Sequence, residues 1–369
     1  MAVNTILIDF SVDPSQVKSE GQLSQLSADI ENVLRDYLAN LKLVISVPLD
    51  GGIFKLYQSE MGAVSNLRIF GNGIITINIE YYKAEKQEPL LDYEKGKEIE
   101  REVFERVIGI KRSQALVPIK RGKFDRYFPS ADERLLEYDI DQVVFEERTQ
   151  YQKVQIVHSR SLGNMLVLDD LQNISEADLI YTETLMCRGK EDYKDKDIVI
   201  LGGGDGALLY ELLKEKPKNV IMLEIDDIVM KACAKHMRSI CGDVLDSRSG
   251  PNYQIIVGDC MKSLDQFISE GRKFDYVFGD LTDIPISSTP SGELWDFILR
   301  ILELSFKILK PDGKFMTHGN GTSCEESLKM YESQLMKLQP PVAINKTTAF
   351  VPSFLEDWVF YQINFTKKP

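Results

Sequence analysis

The chain has 369 residues, 43% of them hydrophobic and 27% charged, which is the composition of an ordinary globular protein long enough for two or three cores. No apolar run reaches the roughly 18 residues a membrane-spanning helix needs, and the N-terminus shows neither a basic n-region nor a small-residue cleavage site, so the expected location is cytoplasmic. There are 57 acids against 44 bases, a net charge of −13, which argues against nucleic-acid binding and favours solubility or a cationic ligand. Five scattered cysteines and three histidines offer no CxxC pair, so neither a disulfide framework nor a metal site is expected.

Residues 1–115 read as a small α+β unit. Thr5–Val12 predicts a strand, and apolar residues at helical spacing (Ile30, Val33, Leu34, Tyr37, Leu38, Leu41) predict a helix over 26–43. Strands are then expected at 43–47, 52–58, 65–70 and 74–79, the last two joined by Gly71-Asn72-Gly73, before a charged helix over 94–108. The basic stretch 111–123 reads as a linker. Residues 116–175 read as a small β-domain with strands at 135–145, 152–158 and 165–168.

From 176 to 369 strands and helices alternate. Strands are expected at 197–201, 219–223, 253–257, 274–278 and 313–317, with helices over 207–216, 227–238, 262–270 and 292–309. This alternation predicts a doubly wound, Rossmann-like α/β sheet, and 347–365 predicts an antiparallel hairpin at its edge.

Ligands of open α/β sheets sit at the carboxyl ends of the strands. Four successive strand ends deliver Gly202-Gly203-Gly204-Asp205-Gly206, Glu224-Ile225-Asp226, Gly258-Asp259-Cys260 and Gly279-Asp280, each with a carboxylate. The glycine loop followed by a helix also fits a dinucleotide-binding turn, with Glu224 on ribose hydroxyls. Asp205 separates the readings, because a carboxylate inside the loop repels a pyrophosphate and attracts a cation such as an adenosyl sulfonium. Glu224 would then accept from the ribose hydroxyls and Asp259 from the adenine amino group. A surface acid and a helix N-cap remain the plain alternatives for those two.

These motifs, in this order, resemble those of the polyamine aminopropyltransferases. The resemblance runs from about residue 115 to 365 and includes Arg126-Tyr127-Phe128-Pro129, Tyr151-Gln152, Leu179-Ile180-Tyr181-Thr182 and Val351-Pro352-Ser353-Phe354-Leu355-Glu356-Asp357-Trp358. The stretch Asp280-Leu281-Thr282-Asp283-Ile284-Pro285-Ile286-Ser287 looks like the spermine-forming branch rather than the spermidine-forming one, which usually carries Asp-Ser-Ser-Asp-Pro. The resemblance implies a methyltransferase-type catalytic domain over 176–369 and an N-terminal dimerisation domain resembling S-adenosylmethionine decarboxylase.

It also implies roles. Gln152, Gly202, Gly204, Glu224, Asp259 and Cys260 would hold the nucleoside; Tyr181, Asp205, Phe354 and Glu356 the polyamine; Asp280, with Asp205 beside it, would do the catalysis as proton acceptor. Decarboxylated S-adenosylmethionine would be a co-substrate, with no cofactor or metal, and spermidine the acceptor. Phe354 stands where the family places a tyrosine, Ala207 replaces the glycine after the loop, and Asp283 adds an acid. Spermidine formation from putrescine, methyl transfer on the same fold, and an inactive dimeric scaffold are the alternatives. His158, His236, His318 and Trp295 carry no functional reading.

Overall fold

Alternation of apolar and polar side chains makes β1 (Ala2–Val12) a strand with one buried face, which carries Ile6, Ile8, Phe10 and Val12. The structure is a computed structural model that describes residues 2–84, 86–130, 132–281 and 291–366. Helix α1 (Glu20–Tyr37) begins earlier than its apolar spacing predicts. Ser19 and Gln22 close a reciprocal capping box, Gln22 N donating to Ser19 Oγ at 3.3 Å and Ser19 N donating to Gln22 Oε1 at 3.1 Å. It stops at Tyr37 because the chain turns into β2 (Lys42–Leu49), the first strand of a meander through β3 (Gly52–Gln58), β4 (Val64–Ile69) and β5 (Ile74–Lys83). Asp92 caps α2 (Tyr93–Arg106) by accepting from Lys95 N at 2.9 Å. Both helices cover one face of the sheet, with Leu26, Ile30, Val33, Ile99 and Val103 against Ile6, Ile8, Ile75 and Ile77.

The stretch read as a linker is not one. It forms β6 (Ile110–Ala115) and β7 (Ile119–Gly122), both antiparallel to β1. Their basic and polar side chains stay largely in water while the backbone completes the sheet, and the hydrophobic pattern registers only the former. The first compact unit therefore runs through Asp125, and the second spans Arg126–Pro369.

The second unit opens with a short hairpin, β8 (Tyr127–Pro129) and β9 (Leu135–Glu137). A four-stranded antiparallel sheet follows: β10 (Ile140–Arg148), β11 (Lys153–Ser159), β12 (Gly163–Leu168) and β13 (Leu171–Ser175). Helix α3 (Leu179–Leu185) then leads into the large sheet. Its parallel strands are β14 (Asp197–Gly202), β15 (Asn219–Glu224), then, beyond the short β16 (Ser249–Gly250), β17 (Tyr253–Val257), β18 (Phe274–Asp280) and β19 (Leu309–Gly321). The hairpin β20 (Val342–Val351) and β21 (Glu356–Phe365) closes one edge antiparallel, as its position in sequence predicts. The spatial order is β16-β17-β15-β14-β18-β19-β21-β20.

Strands buried on both faces need apolar side chains on both, and Ile198–Leu201 and Val220–Leu223 supply them. Ile198, Ile200, Val220 and Met222 meet α3, α4 (Ala207–Lys214) and α5 (Asp227–His236) on one side, through Leu185, Leu208, Leu212 and Met230. Val199, Leu201, Ile221 and Leu223 meet the other layer. That layer comprises, after the short α6 (Arg238–Cys241), α7 (Cys260–Ser269), α8 (Glu293–Ile308) and α9 (Glu325–Leu335). Trp295 is a core residue of that layer, and α9 is an element the sequence reading did not include. No helix among the described residues is long and apolar enough to cross a membrane. None of the five cysteines is bonded to another, and all but Cys187 are buried.

Candidate active site

Strand order reverses between β14 and β18, so the loops leaving these strands part and open a crevice. Gly202 pairs with Asp280 across that boundary, and Gly203 N donates to the Asp280 carbonyl at 3.1 Å. The glycine loop therefore lies on the end of β18. A Cβ on Gly202, whose φ is +83°, would stand 2.0 Å from that carbonyl oxygen, and one on Gly204 would stand 2.7 Å from Glu224 Oε2. Glycine at these two positions lets the backbone pass between the Asp280 carbonyl and the Glu224 carboxylate.

The resulting cavity, about 660 Å³, is lined by Gln152, Tyr181, Gly202, Gly204, Asp205, Glu224, Asp259, Cys260, Asp280, Phe354 and Glu356, among others. It gathers every site residue named from the sequence. Six carboxylates face it (Asp169, Asp205, Glu224, Asp259, Asp280 and Glu356), and its described lining contains no lysine or arginine. Thr282–Ser287, including Asp283, lie outside the described residues.

Each carboxylate is held differently. Asp205 is buried in the loop, its Oδ1 accepting from Ala207 N at 2.8 Å. Burial, reinforced by the charge of Asp280, pushes its pKa up to about 7. Glu224 accepts from Asp226 N at 2.8 Å, yet burial also pushes it up to about 7. Asp280 is raised by its removal from water, while the positive potential of His318 and a hydrogen bond from Tyr181 Oη at 3.1 Å pull the other way. Asp259 caps α7, accepting from Met261 N at 2.9 Å, so its structural role and its place on the cavity wall coexist. Burial lifts the Cys260 thiol to about 11, which keeps it neutral.

Aromatic rings line the other wall. Tyr181 lies 5.9 Å from Phe354 and 5.2 Å from Phe360, and Phe354 lies 4.5 Å from Trp358. Asp178, fully buried, ties this wall together by accepting from Ser175 N at 2.6 Å and Ser353 N at 2.9 Å. The phenyl ring of Phe354 packs where a tyrosine would add a hydroxyl.

Three contributors carry no site role from the sequence alone. His318 reads as bland because nothing near it in sequence is catalytic, yet it lines the cavity with its ring 6.0 Å from Tyr181. Asp226 accepts from Gln152 Nε2 at 3.2 Å and Thr149 Oγ1 at 2.8 Å, fixing the side chain of Gln152. Its place in Leu223-Glu224-Ile225-Asp226 was the available signal. The third, Arg134, bonds Glu356 Oε2 at 3.0 Å.

A crevice of carboxylates and aromatic faces at a glycine-rich switch point has the electrostatics to attract a cationic ligand. Comparisons with known proteins give the family. The spermine/spermidine synthase domain model matches residues 178–369, and the spermidine synthase tetramerisation domain model matches residues 125–176. The polyamine aminopropyltransferase of Pyrobaculum arsenaticum is 30% identical over 221 residues, 58% of this chain and 73% of that protein. That of Sulfurisphaera tokodaii is 36% identical over 160 residues, 42% of this chain and 51% of that one. A crystal structure of spermidine synthase in complex with the transition state analogue AdoDATO shares the fold. Its TM-score is 0.54 at 21% identity, over 64% of this chain and 78% of that one. Spermidine synthase from Thermotoga maritima gives a TM-score of 0.51 at 20% identity, over 64% and 77%.

The chain belongs to the spermine/spermidine synthase family. It is a transferase of the aminopropyltransferase class.

The raised carboxyls carry a stability cost with a definite sign. A carboxyl with a folded pKa near 7 and an ordinary value of 3.8 keeps a proton in the folded chain that the unfolded chain has lost. Folding stability therefore falls as pH rises between those values, and the full penalty applies above about 7. Asp205→Asn removes the penalty and keeps the acceptor for Ala207 N. The variant is expected to unfold at least about 2 °C higher than wild type at pH 8, with the gain closing below about pH 4, in thermal melts across pH. A variant no more stable than wild type at pH 8 would show that Asp205 is not held against its charge.

Proposed function

We propose that the chain is spermine synthase: it transfers the aminopropyl group of decarboxylated S-adenosylmethionine to spermidine, yielding spermine and 5'-methylthioadenosine. The observation that carries this reading is a single cavity with six carboxylates and neither lysine nor arginine in its described lining, walled on one side by aromatic rings. Such a lining favours a ligand with several separated positive charges, through ion pairs and cation–π contacts. The resemblance of the Asp280–Ser287 stretch to the spermine-forming branch supports spermidine as acceptor.

In this reading Gln152, Gly202, Gly204, Glu224, Asp259 and Cys260 hold the nucleoside, and Tyr181, Asp205, Phe354 and Glu356 the polyamine. The acceptor amine, with a pKa of about 10, is protonated at neutral pH and must lose a proton to act. Asp280, raised by burial and held by Tyr181, is the group that takes it. The amine nitrogen attacks the aminopropyl methylene carbon bonded to the sulfonium sulfur. A C–N bond forms as the C–S bond breaks, its electron pair leaving with the sulfur as neutral methylthioadenosine. The carboxylates stabilise the positive charge as it passes from sulfur to nitrogen, so no covalent enzyme intermediate, metal or cofactor is needed.

The same proposal gives the N-terminal unit its role as a homodimerisation domain resembling S-adenosylmethionine decarboxylase. Strand β2 is an edge strand, and its Leu43, Val44, Ile45 and Leu49 are exposed, a surface that isolated chains rarely leave uncovered. In sedimentation the wild-type chain is expected as a dimer and Ile45→Lys as a smaller species. A tetramer unaffected by the substitution would move the assembly surface to residues 125–176.

The assay that decides the reaction supplies decarboxylated S-adenosylmethionine with spermidine or with putrescine and quantifies polyamines and methylthioadenosine. Spermine from the spermidine reaction, with no product from putrescine, is the expected result. Spermidine from putrescine would make the chain a spermidine synthase, and no methylthioadenosine from either would defeat aminopropyl transfer. Asp280→Asn is expected to lower kcat by at least about 100-fold and leave methylthioadenosine affinity within about threefold. Turnover near that of wild type would remove Asp280 as the proton acceptor.

A further inference from the structure

Glu356 faces the cavity, but its carboxylate is already engaged. Oε1 accepts from Ser323 N at 2.8 Å, and Oε2 receives Nη2 of Arg134 at 3.0 Å. Arg134 immediately precedes β9, in the connection from β8, outside the cavity lining. Its other arm is tied separately: Nε donates to both oxygens of Asp132, at 2.7 and 2.8 Å. Ser130 orders the turn, its Oγ donating to Asp132 and accepting from Arg134 N at 2.8 Å.

The two partners differ in their access to water. The Arg134 side chain is 50% exposed and that of Glu356 10%. An arginine with one arm on Asp132 loses a single hydrogen bond when it leaves Glu356, keeps a counter-ion, and regains water. Glu356, once released, remains held by Ser323 N and still points into the cavity. Removing the arginine from a carboxylate this far shielded from water is unfavourable unless another cation replaces it. A primary ammonium is such a cation.

We propose that Arg134 is an internal stand-in for a substrate ammonium: it neutralises Glu356 in the empty enzyme and swings back onto Asp132 when the far ammonium of the polyamine takes its place. This rests on the reading that Glu356 meets an ammonium. The arginine thereby sets a threshold for acceptor binding, since only an amine long enough to reach Glu356 recovers the ion pair it breaks. Arg134 acts through Glu356 and touches no reacting atom, so its effect falls on the Michaelis constant of the acceptor and not on turnover.

The test compares Arg134→Gln, Glu356→Gln and the double variant with wild type, using steady-state kinetics with spermidine and calorimetric titration of spermidine in the presence of methylthioadenosine. Relief from competition with a half-exposed ion pair is expected to lower the spermidine KM and Kd of Arg134→Gln by about two- to fivefold. Its kcat and its KM for decarboxylated S-adenosylmethionine are expected to stay unchanged, and the double variant is expected to match Glu356→Gln alone. A KM that rises or stays level in Arg134→Gln, with Glu356→Gln raising it, overturns the stand-in and makes Arg134 a fixed clamp or a bystander. Wild-type spermidine affinity in Glu356→Gln overturns the assignment of Glu356 itself, and the proposal with it. Arg134→Lys, which keeps the charge, controls for folding and is expected to bind spermidine no tighter than wild type.

Discussion

Buried carboxylates within reach of one another cannot all be ionised unless a cation joins them, and the catalytic unit is organised around that constraint. Asp205, Glu224 and Asp280 come from three strand ends of one parallel sheet whose strands are packed on both faces, so none can move away from the others. With no ligand bound, the charge deficit is met locally. Protons serve at Asp205 and Glu224, the potential of His318 serves at Asp280, and an arginine serves at Glu356. In the proposed reading each of these gives way to a positive charge on a substrate.

The glycine loop follows from the same constraint. It has to run between Asp280 and Glu224, where a single methyl group would meet a carbonyl or a carboxylate at well under contact distance. Electrostatic strain and backbone permissiveness are thus located together, at the switch point of the sheet. A domain with a large two-sided core can carry this local instability, because the cost is a few groups' worth of desolvation against burial spread over the entire sheet.

Much of the fold was legible because its determinants are local. Continuous apolar runs such as Ile198–Leu201 and Val220–Leu223 announce strands buried on both sides, and a glycine cluster followed by a helix announces the first crossover. The ordered carboxylates after those strands located the cavity, and every residue assigned to it lines it. Most of what failed to show was non-local. Residues 111–123 read as a linker because strand pairing with β1 uses backbone groups that composition does not report. The start of α1 was misplaced because the apolar stripe outweighed the Ser19–Gln22 cap. His318 and Arg134 matter only through partners 38 and 222 residues away, Asp280 and Glu356, so no spacing rule could single them out.

The account predicts that protons leave as a polyamine enters. Calorimetric titration of spermidine into the protein with methylthioadenosine, in buffers of different ionisation enthalpy, reads that exchange directly. Net proton release near pH 7, fading by about pH 9 where both carboxyls are already ionised, is the expected result. Binding with no proton exchange at pH 7, or with release that grows toward pH 9, would contradict it: the carboxylates would already be charged in the empty site, or the protons would come from the amine.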